Sequence, residues 1–143
     1  MEAVPMKKRI LYVEDHPNNR LLVQRILEVD GYEMLTAVDG KAGWHMAVAQ
    51  KPDLILMDLH LPGELNGLEL TEKIKQTSDL NHIPIIALTA FSNDEVERAA
   101  RAIGCDDFLR KPADIRQIRA ILRQYLGEAV VAQTDTAATY TYI

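Results

Sequence analysis

Four short apolar runs in this chain each stop at a charged or hydroxyl-bearing residue. Ile10-Leu11-Tyr12-Val13 runs into Glu14-Asp15, and Leu54-Ile55-Leu56-Met57 into Asp58. Ile83-Pro84-Ile85-Ile86-Ala87-Leu88 runs into Thr89, and Phe108-Leu109-Arg110 into Lys111-Pro112. Runs this short and this continuously apolar suit strands buried on both faces of a parallel sheet. Parallel strands put all their C-terminal ends on one edge, which would gather three carboxylates, a hydroxyl and an ammonium. Open α/β sheets bind ligands at that edge, where the strand order reverses.

The segments between the runs have helical periodicity, so the chain reads as repeated β/α units. A first helix is expected over residues 18–29 with Leu22, Ile26 and Val29 as its inner stripe, closed by Asp30-Gly31. Residues 33–37 read as a second strand. Asp39 can cap a helix that buries Ala42, Met46 and Ala49, and Lys51-Pro52 stops it. Turn chemistry fills residues 61–67, and a third helix follows to about Gln76. Asn93 or Asp94 opens a fourth, with Val96, Ala99, Ala100 and Ile103 on its small face and Gly104 at its end. Asp114 caps a fifth, buried through Ile115, Ile118, Leu122 and Tyr125. Five β/α pairs with right-handed crossovers predict a flavodoxin-like, doubly wound five-stranded parallel sheet of order 2-1-3-4-5 with five helices. In that order the four strands with polar ends are adjacent.

Residues 8–126 account for this domain. Residues 1–7 form an N-terminal extension, and 127–143 an Ala- and Thr-rich tail without helical period, expected to be flexible. With a net charge of −5 and no basic run beyond Lys7-Lys8-Arg9, neither nucleic acid nor an anionic membrane is an expected partner. No apolar stretch approaches the roughly 20 residues of a membrane span. A single cysteine, Cys105, excludes an internal disulfide and suits a reducing cytoplasm. It reads as a small buried residue, not a reactive thiol. Asp106-Asp107 reads as a solvated turn, and the four histidines show no ligand spacing.

The edge residues are matched to one chemistry. An aspartate attacks phosphorus when a cation offsets the repulsion between carboxylate and phosphoryl charges. Mg²⁺ needs only one or two carboxylates, keeps several waters and leaves a position for a phosphoryl oxygen. Asp15 and Asp58 are the expected direct ligands, with Glu14 acting through water and the His60 main-chain carbonyl supplying a further oxygen. Lys111 would meet the phosphoryl charge, and the Thr89 hydroxyl would donate a hydrogen bond to it. Each residue alone is unremarkable; their placement at the ends of adjacent strands makes the site.

The segments ending in Glu14-Asp15 and Asp58, with Leu88-Thr89-Ala90 and Lys111-Pro112, resemble the response-regulator receiver domain of two-component systems. The resemblance spans residues 8–126 and is similar to the single-domain CheY and DivK type, with Asn18 and residues 87–91 leaning toward DivK. It implies Mg²⁺-dependent transfer of a phosphoryl group from a sensor histidine kinase or a histidine phosphotransfer protein onto Asp58. The protein would then be a phosphoacceptor that catalyses its own phosphorylation and dephosphorylation, not a conventional enzyme. It further implies that Thr89 moves inward and that Phe108, where many members carry tyrosine, turns toward the vacated space. The surface of helix 4, strand 5 and helix 5 would then change its preference for a downstream protein, or form a weak homodimer. Helix 1 near Asn18, Asn19 and Leu22, with the loop at Pro112, would face the phosphodonor. In the family a cis peptide bond precedes the proline and places the lysine.

Three departures stand out: Phe108 itself, a loop at residues 62–67 one residue longer than the usual pattern, and the variable positions His60 and Phe91, which tend to set the dephosphorylation rate in the family. The bulk of Phe91 is expected to hinder water and lengthen the phospho-Asp58 lifetime. Two other readings compete. A haloacid-dehalogenase-like phosphatase needs a second aspartate two residues after the nucleophile, where this chain has His60. A constitutive interaction module would keep the fold without using the site.

Overall fold

The computed structural model describes residues 7–90 and 93–127. Phe91, the tail over 128–143 and residues 1–6 lie outside the described residues. The elements alternate from end to end: β1 (Arg9–Val13), α1 (Pro17–Val29), β2 (Glu33–Ala37), α2 (Gly40–Gln50), β3 (Leu54–Asp58), α3 (Gly67–Lys75), β4 (Ile85–Thr89), α4 (Asp94–Ile103), β5 (Asp107–Arg110) and α5 (Ile115–Leu126). All strand pairs are parallel and the order is β2-β1-β3-β4-β5, the expected doubly wound sheet.

Alternation along each strand divides the core in two. Leu11, Val13, Ile55, Met57, Ile85, Ala87 and Phe108 pack on one side with Leu70, Ile74 and Ala100 of α3 and α4. Ile10, Tyr12, Leu54, Leu56, Ile86, Leu88 and Leu109 pack on the other with Val23 and Leu27 of α1 and Ile118 and Leu122 of α5. This double cover is why the strands read as continuous apolar runs.

The caps follow the residue types. Asp39 accepts from the Ala42 N–H at 2.8 Å at the start of α2. Asn66 and Glu69 form a reciprocal capping box on α3, and Asp114 and Gln117 form another on α5. Asn93 caps α4 by accepting from the Val96 N–H. Gly31 closes α1 at φ +86°, a conformation that favours glycine.

Three helix phases differ from expectation. In α1 the buried residues are Val23, Ile26 and Leu27, while Val29 is 62% exposed. The helix starts at Pro17, and Asp30 beyond its end is buried against Arg119 of α5, whose Nε lies 2.6 Å from Oδ2. In α2 the buried positions are Gly40, Gly43 and Ala47; Ala42 and Met46 are half-buried and Ala49 is exposed. A Cβ on Gly43 would lie 2.8 Å from the Leu70 side chain, so α2 approaches α3 closely there. In α4 only Ala100 is buried, with Val96 and Ile103 half-buried and Ala99 exposed. Asp106 is also more than a solvated turn, because its carboxylate receives the Lys75 ammonium at 2.9 Å and the Ile85 N–H at 2.8 Å.

Cys105 is buried, and burial pushes its thiol up to about 11. Thiolate is the reacting species, so alkylation of the native protein at pH 8 is expected to run about a hundredfold more slowly than in denaturant. Mass spectrometry of time points with iodoacetamide measures this, and equal rates in the two conditions would contradict the burial.

Candidate functional site

Register sets the polar residues side by side. Val13 is level with Met57, so Glu14 and Asp58 leave their strands as neighbours. Asp58 is level with Leu88, and Thr89 with Arg110, so Thr89 and Lys111 follow one residue further along the same edge. Alternation then sorts them by face. Glu14, Asp58 and Lys111 continue the series Ile10-Tyr12, Leu54-Leu56 and Leu109 on the α1/α5 side. Thr89 continues Ile85 and Ala87, the series that packs with Phe108 on the α4 side.

The first three residues meet directly. The Lys111 ammonium lies 2.5 Å from Glu14 Oε1 and 3.4 Å from Asp58 Oδ2. The His60 N–H donates to Asp58 Oδ1 at 2.9 Å, which fixes the other oxygen of that carboxylate. Glu14, Asp15 and Asp58 offer carboxylate oxygens that all lie within 4.8 Å of one another. Glu14 is fully buried and Asp58 is 4% exposed, while Asp15 is half-buried. A cavity of about 310 Å³ opens over them, lined by Asp15, His16, Asn19, Asp58, His60, Ala90 and Lys111.

Three carboxylates and one ammonium leave an excess of negative charge in a largely desolvated place. Burial opposes ionisation of Glu14, but hydrogen bonding with Asp58, Lys111 and Asn19 overcomes it and holds this carboxyl below the usual range. At Asp58, burial and hydrogen bonding with Glu14 push the pKa up, against the His60 N–H and the Lys111 charge. The two behave as one coupled pair that retains a proton more readily at Asp58. A donor set of hard oxygens with surplus negative charge, at an open cleft, fits a small divalent cation such as Mg²⁺.

Of the residues singled out in the sequence, the structure brings Glu14, Asp15, Asp58, His60 and Lys111 to one cleft. Thr89 ends β4 at 1% exposure, and Phe108 is 8% exposed within the core. The Lys111–Pro112 peptide bond is cis, as the resemblance implies. Glu64 and Leu65 of the loop over 62–67 stand apart from the cleft lining: Glu64 is exposed, and Leu65 packs against the core.

Two residues at the site were not legible as such. Tyr12 donates its hydroxyl to Glu14 Oε1 at 2.9 Å, and the Asn19 amide donates to the same oxygen at 3.0 Å. The available signals were position two before Glu14, hence the same strand face, and position five after it, in the first turn of α1. Asn19, read from the sequence as near a donor-facing surface, also lines the cleft.

Comparisons with known proteins agree with this geometry. The family model for the response regulator receiver domain matches residues 10–123. The polar-differentiation response regulator DivK of Brucella anthropi is 38% identical over 124 residues, covering 87% of this chain and all of that protein. Among solved structures, the Vibrio cholerae chemotaxis protein CheY4 superposes with a TM-score of 0.79 at 27% identity, over 85% of this chain and all of that one. The receiver domain of a Pseudomonas aeruginosa sensor histidine kinase, with a magnesium ion coordinated in its active-site cleft, gives 0.78 at 32% identity over 86% of this chain and all of that domain.

Proposed function

The chain belongs to the response regulator receiver domain family, and on that premise we propose that Asp58 accepts a phosphoryl group from a phosphohistidine donor. The donor is a sensor histidine kinase or a histidine phosphotransfer protein. The observation that carries this reading is a buried aspartate at a strand end, facing an open cleft, with two further carboxylates and one ammonium against it. A carboxylate oxygen of Asp58 forms the new bond to phosphorus as the nitrogen–phosphorus bond of the donor breaks, and the electron pair returns to the imidazole. Asp15 and Asp58, with the His60 carbonyl and Glu14 through water, would hold Mg²⁺. When bound, Mg²⁺ offsets the repulsion between Asp58 and the incoming phosphoryl oxygens. The magnesium in the cleft of the Pseudomonas relative supports this assignment.

Lys111 reaches both Glu14 and Asp58, and its ammonium would turn to pair with a phosphoryl oxygen. Thr89 lies one strand away, on the face shared with Phe108, and couples the acyl phosphate to α4, β5 and α5. Phosphorylation then biases two packings of that surface, which contacts a downstream protein or a second copy of the chain. Its ion pairs, Arg110 with Asp94 and Glu97 and Arg101 with Asp107, are exposed or half-exposed and exchange partners at little cost. Among the described residues no helix is long and apolar enough to cross a membrane. The phosphatase reading lacks its acid, because the residue two after Asp58 is His60.

Incubation with Mg²⁺ and acetyl phosphate tests the reading through intact-mass spectrometry. The expected result is a gain of one phosphoryl group, abolished by chelator. Sustained release of inorganic phosphate from many phosphomonoesters would instead establish a phosphatase, and no modification by acetyl phosphate or any phosphohistidine donor would establish a constitutive module.

A further inference from the structure

Glu14 is fully buried, yet one of its oxygens is crowded with donors. Oε1 accepts from the Tyr12 hydroxyl at 2.9 Å, the Asn19 amide at 3.0 Å and the Lys111 ammonium at 2.5 Å. For Oε2 the backbone N–H of His16 stands at 3.5 Å. Tyr12 is itself fully buried in β1, and β1 alternation points its ring to the same face as Glu14. Asn19 reaches over from the first turn of α1. Burying a phenol ring at the wet end of a strand is favourable only if its hydroxyl finds a partner, and here that partner is a carboxylate.

Three donors exceed what is needed to hold one carboxylate oxygen, and they differ in permanence. Lys111 has a second partner in Asp58 Oδ2 at 3.4 Å. On the reading above, on which this inference rests, a phosphoryl group on Asp58 draws the ammonium toward itself. Glu14 would then be a buried carboxylate whose Oε1 has lost its ammonium donor, a costly arrangement without other donors. Tyr12 and Asn19 belong to β1 and α1, and neither has a partner on Asp58.

We propose that Tyr12 and Asn19 are positioning residues of the cation site: their neutral donors hold Glu14 through Oε1, leave Oε2 toward the cation, and keep Glu14 in place when Lys111 turns to the phosphoryl group. Tyr12 thus ties the α1/α5 core to the site, and Asn19 ties in the helix that would face the phosphodonor. Hydrogen-bond partners that orient a cation's ligands commonly change affinity by about tenfold or more when removed.

The test is a Mg²⁺ titration of the full chain, read as the dissociation constant from the shift in thermal-unfolding midpoint. The variants are Tyr12→Phe, Asn19→Ala and their combination, each made in wild type and in a Lys111→Met background that imitates the departed ammonium. The expected result is a loss of affinity of about threefold in wild type and about tenfold with Lys111→Met, because the three donors share one oxygen. A role in packing alone would lower the metal-free midpoint and leave the Mg²⁺ constants unchanged. Constants within about twofold in both backgrounds overturn the proposal. Asn19→Ala removes a half-buried amide, so its coupling to Lys111→Met decides the matter even if the tyrosine variants fold poorly. Wild type failing to bind Mg²⁺ would overturn the phosphoacceptor reading as well, whereas unchanged constants in a binding wild type overturn only this inference.

Discussion

Asp58→Asn is expected to melt at a higher temperature than wild type when no divalent ion is present. Asp58 sits among Glu14, Asp15 and a single ammonium, and burial and Glu14 raise its pKa. A carboxyl whose pKa is higher in the folded state than in the unfolded one binds its proton more tightly when folded. Its contribution is therefore full below the unfolded value, about 3.9, and is lost as pH rises through the folded value. At neutral pH the ionised Asp58 is a net cost, and a neutral amide of the same shape removes it. Glu14 has the opposite sign: its lowered pKa supplies stability above the ordinary carboxylate range, lost on acidification.

The gain from Asp58→Asn at pH 7 is expected to be on the order of 1–2 kcal/mol, or roughly 4–10 °C for a domain of this size. It should shrink toward pH 4, where the wild-type carboxyl is protonated. Saturating Mg²⁺ should narrow or reverse the difference, since the cation stabilises wild type through a ligand that the variant has weakened. Thermal melts across pH, with and without Mg²⁺, measure all of this. A variant that melts lower than wild type in chelator would mean that Lys111 already compensates the cluster.

The second large effect is steric. Gly67 opens α3, and a Cβ there would lie 2.3 Å from the Asp58 carbonyl oxygen and 2.6 Å from the Leu59 Cα. Both obstacles are backbone at the end of β3, so no rotamer change relieves them. Gly67→Ala must displace either the start of α3 or the strand that presents Asp58. A loss of about 3 kcal/mol is expected, with impaired phosphoryl uptake in whatever still folds. Gly63, in the same loop, provides the contrast. Its φ of +90° disfavours a side chain, but nothing lies within 4 Å of its Cβ position. Gly63→Ala should cost only about 1–2 kcal/mol and leave the site working. Urea melts of the two variants decide between them, and equal losses would show that the loop's conformation matters more than its contact with β3.

What the sequence made legible follows from what the sheet requires. Strands covered on both faces must be apolar throughout, so their polar ends mark the edge, and the right-handed crossover rule does the rest. Helix phases were less legible. Leu21-Leu22-Val23 followed by Ile26-Leu27 supports two neighbouring inner stripes, and the choice depends on Pro17 starting the helix and on the Asp30–Arg119 ion pair, whose partners are far apart in sequence. Ala49 and Ala99 have side chains too small to demand burial, so their exposure costs little. The site's carboxylates and lysine were legible because strand ends fix them. Tyr12 read simply as part of an apolar run, because a buried phenol's partner shows only when the fold sets Glu14 beside it.

The central claim is that Asp58 itself carries the phosphoryl group, and reductive trapping tests it most directly. Borohydride reduces an acyl phosphate to the alcohol while leaving free carboxylates intact, so a phosphorylated aspartate becomes homoserine. After acetyl phosphate and Mg²⁺, peptide mass mapping should find homoserine at position 58, and none in Asp58→Asn or in chelator. Homoserine at position 15, or a phosphoryl mass gain that borohydride leaves untouched, would contradict the account.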